Sequence, residues 1–509
     1  MKAVVVGTGV GSLASALRLR KLGFQVEVIE TCPDPGGRAR TFNIHGENFD
    51  AGPTVITAPW LFDELFQLFG ENRSDRVEFL PCDPWYRVSY ADGTSFDITT
   101  TFEAQKKEIA RLSATDAAQY QAFFGHAEEL YKVGYEQLGA ADFSAPLSMI
   151  KALPKLMRLG GFRSLWAHTG KYFQDPRIRQ AFSLQTLLVG GNPLRTTAIY
   201  GLIHAMERKG GIWFAKGGTG KLIEELVKLA ERNGITFRFN SELVGINSSE
   251  SKLSQVEVKE GKSKISIDCD LCVWGGDPVK AYELLSKSRL SWSERMRLST
   301  IQSSMGLYVL YFKTAKRFPD VAHHTIILSS RWEGLLKDIF SGKKLPQDPS
   351  LYLHRPAATD PTFQREDGEL FYVLAPVPHL GNFNSWQDSV ADFKDLILGA
   401  LDESVLPGVN AHLIFAESVD PRYFRDQLKS HQGAGFSIAP LLEQSAWFRF
   451  HNRSDKVKNL YLCGAGVHPG GGLPGVATSA KVIEQMIMKD FGLRVNSNRQ
   501  QDIELKAWA

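Results

Sequence analysis

Cysteine is scarce. The chain of 509 residues holds five, Cys32, Cys82, Cys269, Cys272 and Cys463, an odd and scattered set that excludes a disulfide-stapled scaffold and suits a reducing compartment. Only Cys269 and Cys272 form a CxxC. The alternating pattern from Ile267 to Trp274 predicts one strand with the two sulfurs on opposite faces, as core residues rather than a redox pair. No unbroken apolar run approaches the ~20 residues that span a bilayer, so membrane contact is expected only at the surface. Neither sign of charge is in excess: 59 Lys and Arg stand against 56 Asp and Glu. Without an arginine-rich tract or zinc-finger spacing, nucleic acid is not an expected partner. With 43% apolar and 23% charged residues, the composition is that of an ordinary folded chain, long enough for two large domains.

The first thirty residues carry the sharpest signal. Val4 to Val6 are β-branched and continuous, as a strand buried on both faces requires. Gly7 permits a tight turn. Gly9 has no side chain, so a pyrophosphate can approach the backbone where Val10 and Gly11 open an amphipathic helix, its positive end toward the phosphates. Glu30 follows about 20 residues on, where a carboxylate meets ribose hydroxyls and argues against a 2′-phosphate. The third glycine of this fingerprint is replaced by Ser12, a departure at a position that serves close helix-to-strand packing; a small shift is expected to absorb it. Lys2 and the weakly apolar run to Ala16 imitate a secretory signal, but the glycine spacing, the helix and Glu30 agree on a nucleotide site instead.

Two further segments look like returns to the same domain. Gly217-Gly218-Thr219-Gly220 leads into a helical stretch, Leu222 to Glu231, a strand, Ile235 to Asn240, and on to Gly276-Asp277. It is not a P-loop, because Ala215 replaces the opening glycine and Leu222 the magnesium-binding hydroxyl. The stretch Asn459 to Gly475 reads as strand and glycine loop before a helix, Val476 to Met488, with backbone rather than side chains brought to a ligand. Pro469 blocks a second dinucleotide fingerprint at Gly464-Ala465-Gly466, so no NADPH site is expected.

Pro35-Gly36-Gly37-Arg38-Ala39-Arg40 and Phe49-Asp50-Ala51-Gly52-Pro53-Thr54 have no place in a simple NAD dehydrogenase. With the fingerprint they resemble the two-domain FAD family of amine oxidases and carotenoid desaturases. Blocks outside the cofactor segments narrow this: Leu188 to Pro193, Ile199 to Ala205, Gly211 to Phe214, His323-His324-Thr325, Tyr372 to Gly381, Phe424 to Leu428 and Gln444 to Phe448 are similar to bacterial phytoene desaturases. The resemblance runs from Met1 to about Met488.

It implies an α/β fold: a Rossmann-like FAD-binding domain from residues 1–75, 206–277 and 451–490, and a discontinuous α+β substrate and membrane region from 76–205 and 278–450, followed by a tail, 491–509. FAD is expected against Gly7, Gly9, Val10, Gly11, Ser12, Glu30, Gly36, Gly37, Arg38, Gly52, Pro53, Thr54, Leu243, Gly464, Ala465, Gly475 and Val476, with the positive helix end near Gly475 facing the flavin pyrimidine. The implied reaction is stepwise dehydrogenation of 15-cis-phytoene to neurosporene- or lycopene-type carotenoids by hydride transfer to flavin N5. Quinone or oxygen is the implied electron acceptor. A C30 diapophytoene or hydroxycarotenoid substrate, or a non-catalytic isoprenoid carrier, are the alternatives. A C40 chain leaving lipid gains almost nothing from burial in protein, so the substrate passage should open onto the cytoplasmic membrane face, with the protein peripheral.

Residues 143–174 suit that position. Lys151, Lys155, Arg158, Arg163 and Lys171 interleave with apolar residues such as Met149, Ile150, Leu153, Met157 and Phe162. A helix packed on the core with a solvated basic face is the competing reading. Some relatives are proposed to use an acid and an arginine where this chain has Ser148 and Lys151, so no catalytic residue is assigned. His204, His323, His324, His379 and His468 are expected as structural hydrogen-bonding residues, no metal spacing connects them, and Arg425–Asp426 is expected as an ion pair.

Overall fold

A computed structural model describes residues 1–144, 153–249, 251–285 and 290–493. Strand β1 (Lys2–Val6) is central in a five-stranded parallel sheet, flanked by β2 (Gln25–Ile29) and by Leu271–Trp274, with Thr236–Arg238 and Leu460–Leu462 at the edges. Ala3, Val4 and Val5 are fully buried, because helices cover one face and a three-stranded antiparallel sheet, Ser241–Ser249, Lys252–Glu260 and Ser263–Asp268, lies on the other. Helix α1 (Val10–Lys21) packs along the helix Leu473–Asp490, so the two ends of the described chain meet. Arg18 joins them, bonded to Glu484 at 2.6 Å and to Glu64 at 2.7 Å.

Three local expectations shift. The helix expected from Leu222 spans Thr219–Arg232, the strand expected from Ile235 is only Thr236–Arg238, and the helix expected from Val476 begins at Leu473. Gly472 precedes that helix, and Pro474, which needs no backbone donor, sits in its first turn. The single strand expected from Ile267 to Trp274 is two: Ser263–Asp268 ends before Cys269, and Leu271–Trp274 belongs to the parallel sheet. Alternation continued across a sheet change because both pieces are buried in one apolar cluster, which also holds Cys269 and Cys272 as free thiols.

The second layer is a seven-stranded sheet in the order Leu413–Val419, Gly306–Thr314, Glu369–Val377, Leu351–His354, His324–Ile327, Tyr86–Ser89, Ser95–Ile98. All neighbours are antiparallel except His324–Ile327 with Tyr86–Ser89. The strand period of two divides its side chains cleanly. Tyr308, Leu310 and Phe312 pack under the helix Trp386–Asp402, while Leu307 and Val309 face the opposite way, toward a cavity between this sheet and the nucleotide-type sheet.

Candidate active site

A cavity of about 800 Å³ runs between the two layers. One end is walled by backbone: Gly7, Gly9, Val10, Gly11, Gly36, Gly37, Gly52, Pro53, Gly464, Ala465, Gly475 and Val476 all line it, with Glu30, Arg38, Thr54 and Leu243. Of the residues expected against FAD, Ser12 alone lies off the wall. Its hydroxyl donates to Val6 O at 3.1 Å, behind the turn. The extra group is absorbed by a glycine from a distant strand end rather than by a shift: a Cβ on Gly275 would stand 1.8 Å from Ser12 Oγ. Nothing local in the sequence pairs these two positions.

Glu30 is held rigidly. One carboxylate oxygen accepts from Thr8 N at 2.8 Å and Thr8 Oγ1 at 2.5 Å, the other from Cys32 N at 2.9 Å. Thr8 Oγ1 in turn accepts from Gly36 N at 3.1 Å, which ties the first glycine turn to the second. Arg38 is no free surface arginine: Nε donates to Gly435 O at 2.7 Å and Nη2 to Ser430 Oγ at 2.6 Å, so the turn is anchored to the second layer. Asp50, to which the sequence assigns no role of its own, caps the helix Thr219–Arg232 by accepting from Thr219 N and Gly220 N, both at 3.1 Å. The GGTG run thus presents amides to a carboxylate of the chain itself. Burial nevertheless lifts Asp50 to about 6. Gly475, in the first turn of the last helix, lies against Gly470, where an added Cβ would come 2.5 Å from Gly470 O, so the preceding loop can pack on that turn only at a glycine.

Beyond this wall the lining is apolar, with Leu187, Ile199, Ile203, Met206, Leu307 and Leu374 among its residues. Thr54 Oγ1 bonds Tyr352 OH and Tyr372 OH, each at 3.0 Å, and Tyr352 OH bonds His324 Nδ1 at 2.7 Å. Glu207, on the helix Leu202–Gly210, also lines this chamber. It accepts from Tyr86 OH at 3.1 Å and Gln185 Nε2 at 2.8 Å. Burial raises its carboxyl to about 7, with the two donors and Arg208 pulling the other way.

The histidines behave as hydrogen-bonding residues. His204 Nε2 bonds Tyr120 OH at 3.1 Å, His323 bonds His354 at 3.0 Å, His379 Nδ1 accepts from Gly381 N at 3.1 Å, and His468 Nε2 donates to Leu138 O at 3.1 Å. Burial holds His468 at about 4 and His324 at about 3, so they are neutral at ordinary pH. The fold, not sequence spacing, brings Cys82 Sγ to 3.8 Å from His324 Nε2 and, with His323, groups three donors within 4.8 Å. Arg425 and Asp426 do pair, at 2.6 Å, on an exposed helix end. Ser148, Met149, Ile150 and Lys151 lie outside the described residues, as does the tail beyond 493.

Comparison with known proteins accords with this arrangement. Residues 13–482 match the flavin-containing amine oxidoreductase family. The chain is 41% identical over 491 residues to a lycopene-forming phytoene desaturase from Paracoccus sp., covering 96% of this chain and 97% of that one. It is 38% identical to a neurosporene-forming phytoene desaturase from Cereibacter sphaeroides, covering 95% and 94%. An oxidoreductase from Methanosarcina mazei shares the fold, with a TM-score of 0.66 at 18% identity over 95% of this chain and all of that one. A backbone-lined nucleotide wall opening into an apolar chamber, on a sequence this close to theirs, places the chain in the phytoene desaturase family of flavin-containing oxidoreductases.

Proposed function

We propose that the protein is an FAD-dependent phytoene desaturase that removes hydrogen pairs from 15-cis-phytoene stepwise, toward neurosporene- or lycopene-type carotenoids. One observation carries this reading: a single cavity joins glycine turns to a chamber whose lining is mostly apolar. The residues fit the cofactor. Glycine amides at the start of α1 suit a diphosphate, and Glu30, held by Thr8 and Cys32, suits ribose hydroxyls. When bound, FAD supplies the hydride acceptor. The chain's own part is to align an apolar polyene and exclude water, which the Leu187, Ile203 and Leu374 lining does. In this reading residues 1–75, 206–277 and 451–490 chiefly hold the cofactor and 76–205 with 278–450 the substrate, the helix Leu202–Gly210 reaching across that boundary into the chamber.

The protein docks peripherally on the cytoplasmic membrane face and passes electrons to quinone or oxygen. Among the described residues no helix is long and apolar enough to cross a membrane. Leu153, Met157 and Phe162 are 45%, 51% and 53% exposed beside Lys155, Arg158 and Arg163, and Leu156 between them lines the cavity. Leu442 and Phe448 are exposed on the segment whose Ser445 and Ala446 also line it. Apolar side chains therefore stand at two parts of the cavity's rim, with basic groups to meet anionic headgroups.

Purified holoprotein with phytoene in liposomes and a quinone should yield neurosporene or lycopene by chromatography. Conversion only of a C30 or hydroxylated polyene would change the substrate. Isoprenoid retained unchanged, with no flavin absorbance, would make the protein a carrier.

A further inference from the structure

Each desaturation must dispose of a proton as well as a hydride, and the apolar chamber holds few groups that can take one. Among the described residues, five carboxylates line the cavity: Glu30, Glu207, Glu242, Asp277 and Glu283. Glu30 is bound by Thr8 and Cys32, and Asp277 by Val279 N, Ser437 Oγ and His431 N. Glu242 and Glu283 stand with Lys280 and Lys429 near the Leu243 wall, on the nucleotide side. Of these five, Glu207 lies among Leu184, Leu187, Ile203 and Met206, in the apolar part.

Resting on the desaturase reading above, we propose that Glu207 is the proton acceptor of the reaction, a catalytic base presented to the polyene by Tyr86 and Gln185. Both donors are fixed. Gln185 Nε2 can only donate, and it reaches one carboxylate oxygen at 2.8 Å while Tyr86 OH reaches the other at 3.1 Å. This leaves each oxygen one lone pair. Tyr86 packs on His324, which bonds Tyr352, which bonds Thr54 of the cofactor wall. Three aromatic rings, Tyr86, His324 and Tyr352, thus link the carboxylate to the loop that faces the cofactor.

One C–H electron pair leaves the polyene with its hydrogen as hydride for the oxidised flavin, and the neighbouring C–H pair becomes the new C=C bond. Its proton goes to a Glu207 oxygen and returns to solvent before the next round. The substrate is oxidised by two electrons and the flavin reduced by two; Glu207 changes only its protonation.

The groups facing Glu207 set its titration. Tyr86, Gln185 and the Arg208 guanidinium favour the carboxylate, burial opposes it, and the balance lies near pH 7. His324, Tyr352 and Cys82 stay neutral in the same layer, since burial lowers the imidazole and raises the phenol and the thiol. A base in this range is matched to its task.

The test uses holoenzyme with phytoene liposomes. Glu207→Gln should keep wild-type flavin content and polyene affinity but lose about 100-fold or more in kcat, the range for a positioned base. Activity of the native enzyme should rise through a limb near pH 7. Tyr86→Phe and Gln185→Leu, each removing a donor, should move that limb to higher pH, which a merely structural carboxyl would not do. A carboxylic-acid C=O infrared band titrating near pH 7 in wild type, and missing in Glu207→Gln, reads the same group without turnover. Should Glu207→Gln fail to fold, the limb shifts in Tyr86→Phe and Gln185→Leu decide alone. Glu207→Gln within twofold of wild-type kcat, or an unmoved limb, would overturn the assignment. If wild type desaturates no polyene at all, the functional reading fails first.

Discussion

Alanine at Gly275 should reveal how the serine at the third fingerprint position is tolerated. Its Cβ would lie 1.8 Å from Ser12 Oγ, 2.9 Å from Val6 O and 3.1 Å from Ser12 Cβ. The hydroxyl must therefore swing away, losing its bond to Val6 O at about 1 kcal/mol. The remaining crowding against Val6 O is an overpacking cost of about 1–3 kcal/mol. Gly275→Ala should thus destabilise by roughly 2–4 kcal/mol. Ser12→Ala alone should cost about 0.5–1 kcal/mol, because Val6 O still accepts from Gly275 N at 2.9 Å. In the double variant the hydroxyl clash is gone, so the pair should be more stable than the sum of its parts by about 1 kcal/mol or more. Equilibrium urea unfolding of the holoenzyme, followed by flavin fluorescence, reports the nucleotide end directly. Additivity within about 0.3–0.5 kcal/mol would refute the claim that an absent side chain at Gly275 makes room for Ser12.

Three other outcomes are expected. Glu30→Ala strands the Thr8 and Cys32 amides and removes the ribose-facing carboxylate, so FAD should bind about 10- to 100-fold more weakly by equilibrium titration. Arg18→Met leaves Glu484 without its partner in a buried cluster and should cost about 3–5 kcal/mol in urea unfolding, while Glu64 keeps Lys481. Asp50 is raised in the folded chain from 3.8 to about 6, so between those values the native state holds a proton that the unfolded state has released, and stability falls as pH rises through that window. The loss amounts to about 3 kcal/mol above pH 6, and Asp50→Asn should flatten this part of the urea midpoint against pH.

Ser12, Cys269 and Glu207 show where reading along the chain succeeds and where it stops. Ser12 was visible as a departure, but its compensation lies at Gly275, more than two hundred residues away. Cys269 and Cys272 are core residues as their pattern predicts, yet on two strands rather than one, because burial preserves alternation when the chain passes from one sheet to another. Glu207 sits in a helical stretch between Met206 and Arg208 with no motif to mark it, and only the docking of Tyr86 and Gln185 turns it into a buried acceptor.

Features that depend on short spacing are legible along the chain: strand, glycine turn, helix and acid at the start, the second glycine turn at Gly36-Gly37, and the glycine loop before the last helix. Backbone that must approach a ligand has to be glycine, and that demand is local. The chamber is a product of packing. Its walls come from alternate residues of strands in the second layer and from the Leu202–Gly210 helix, distant in the chain and individually ordinary, so their common face exists only once the sheets have packed.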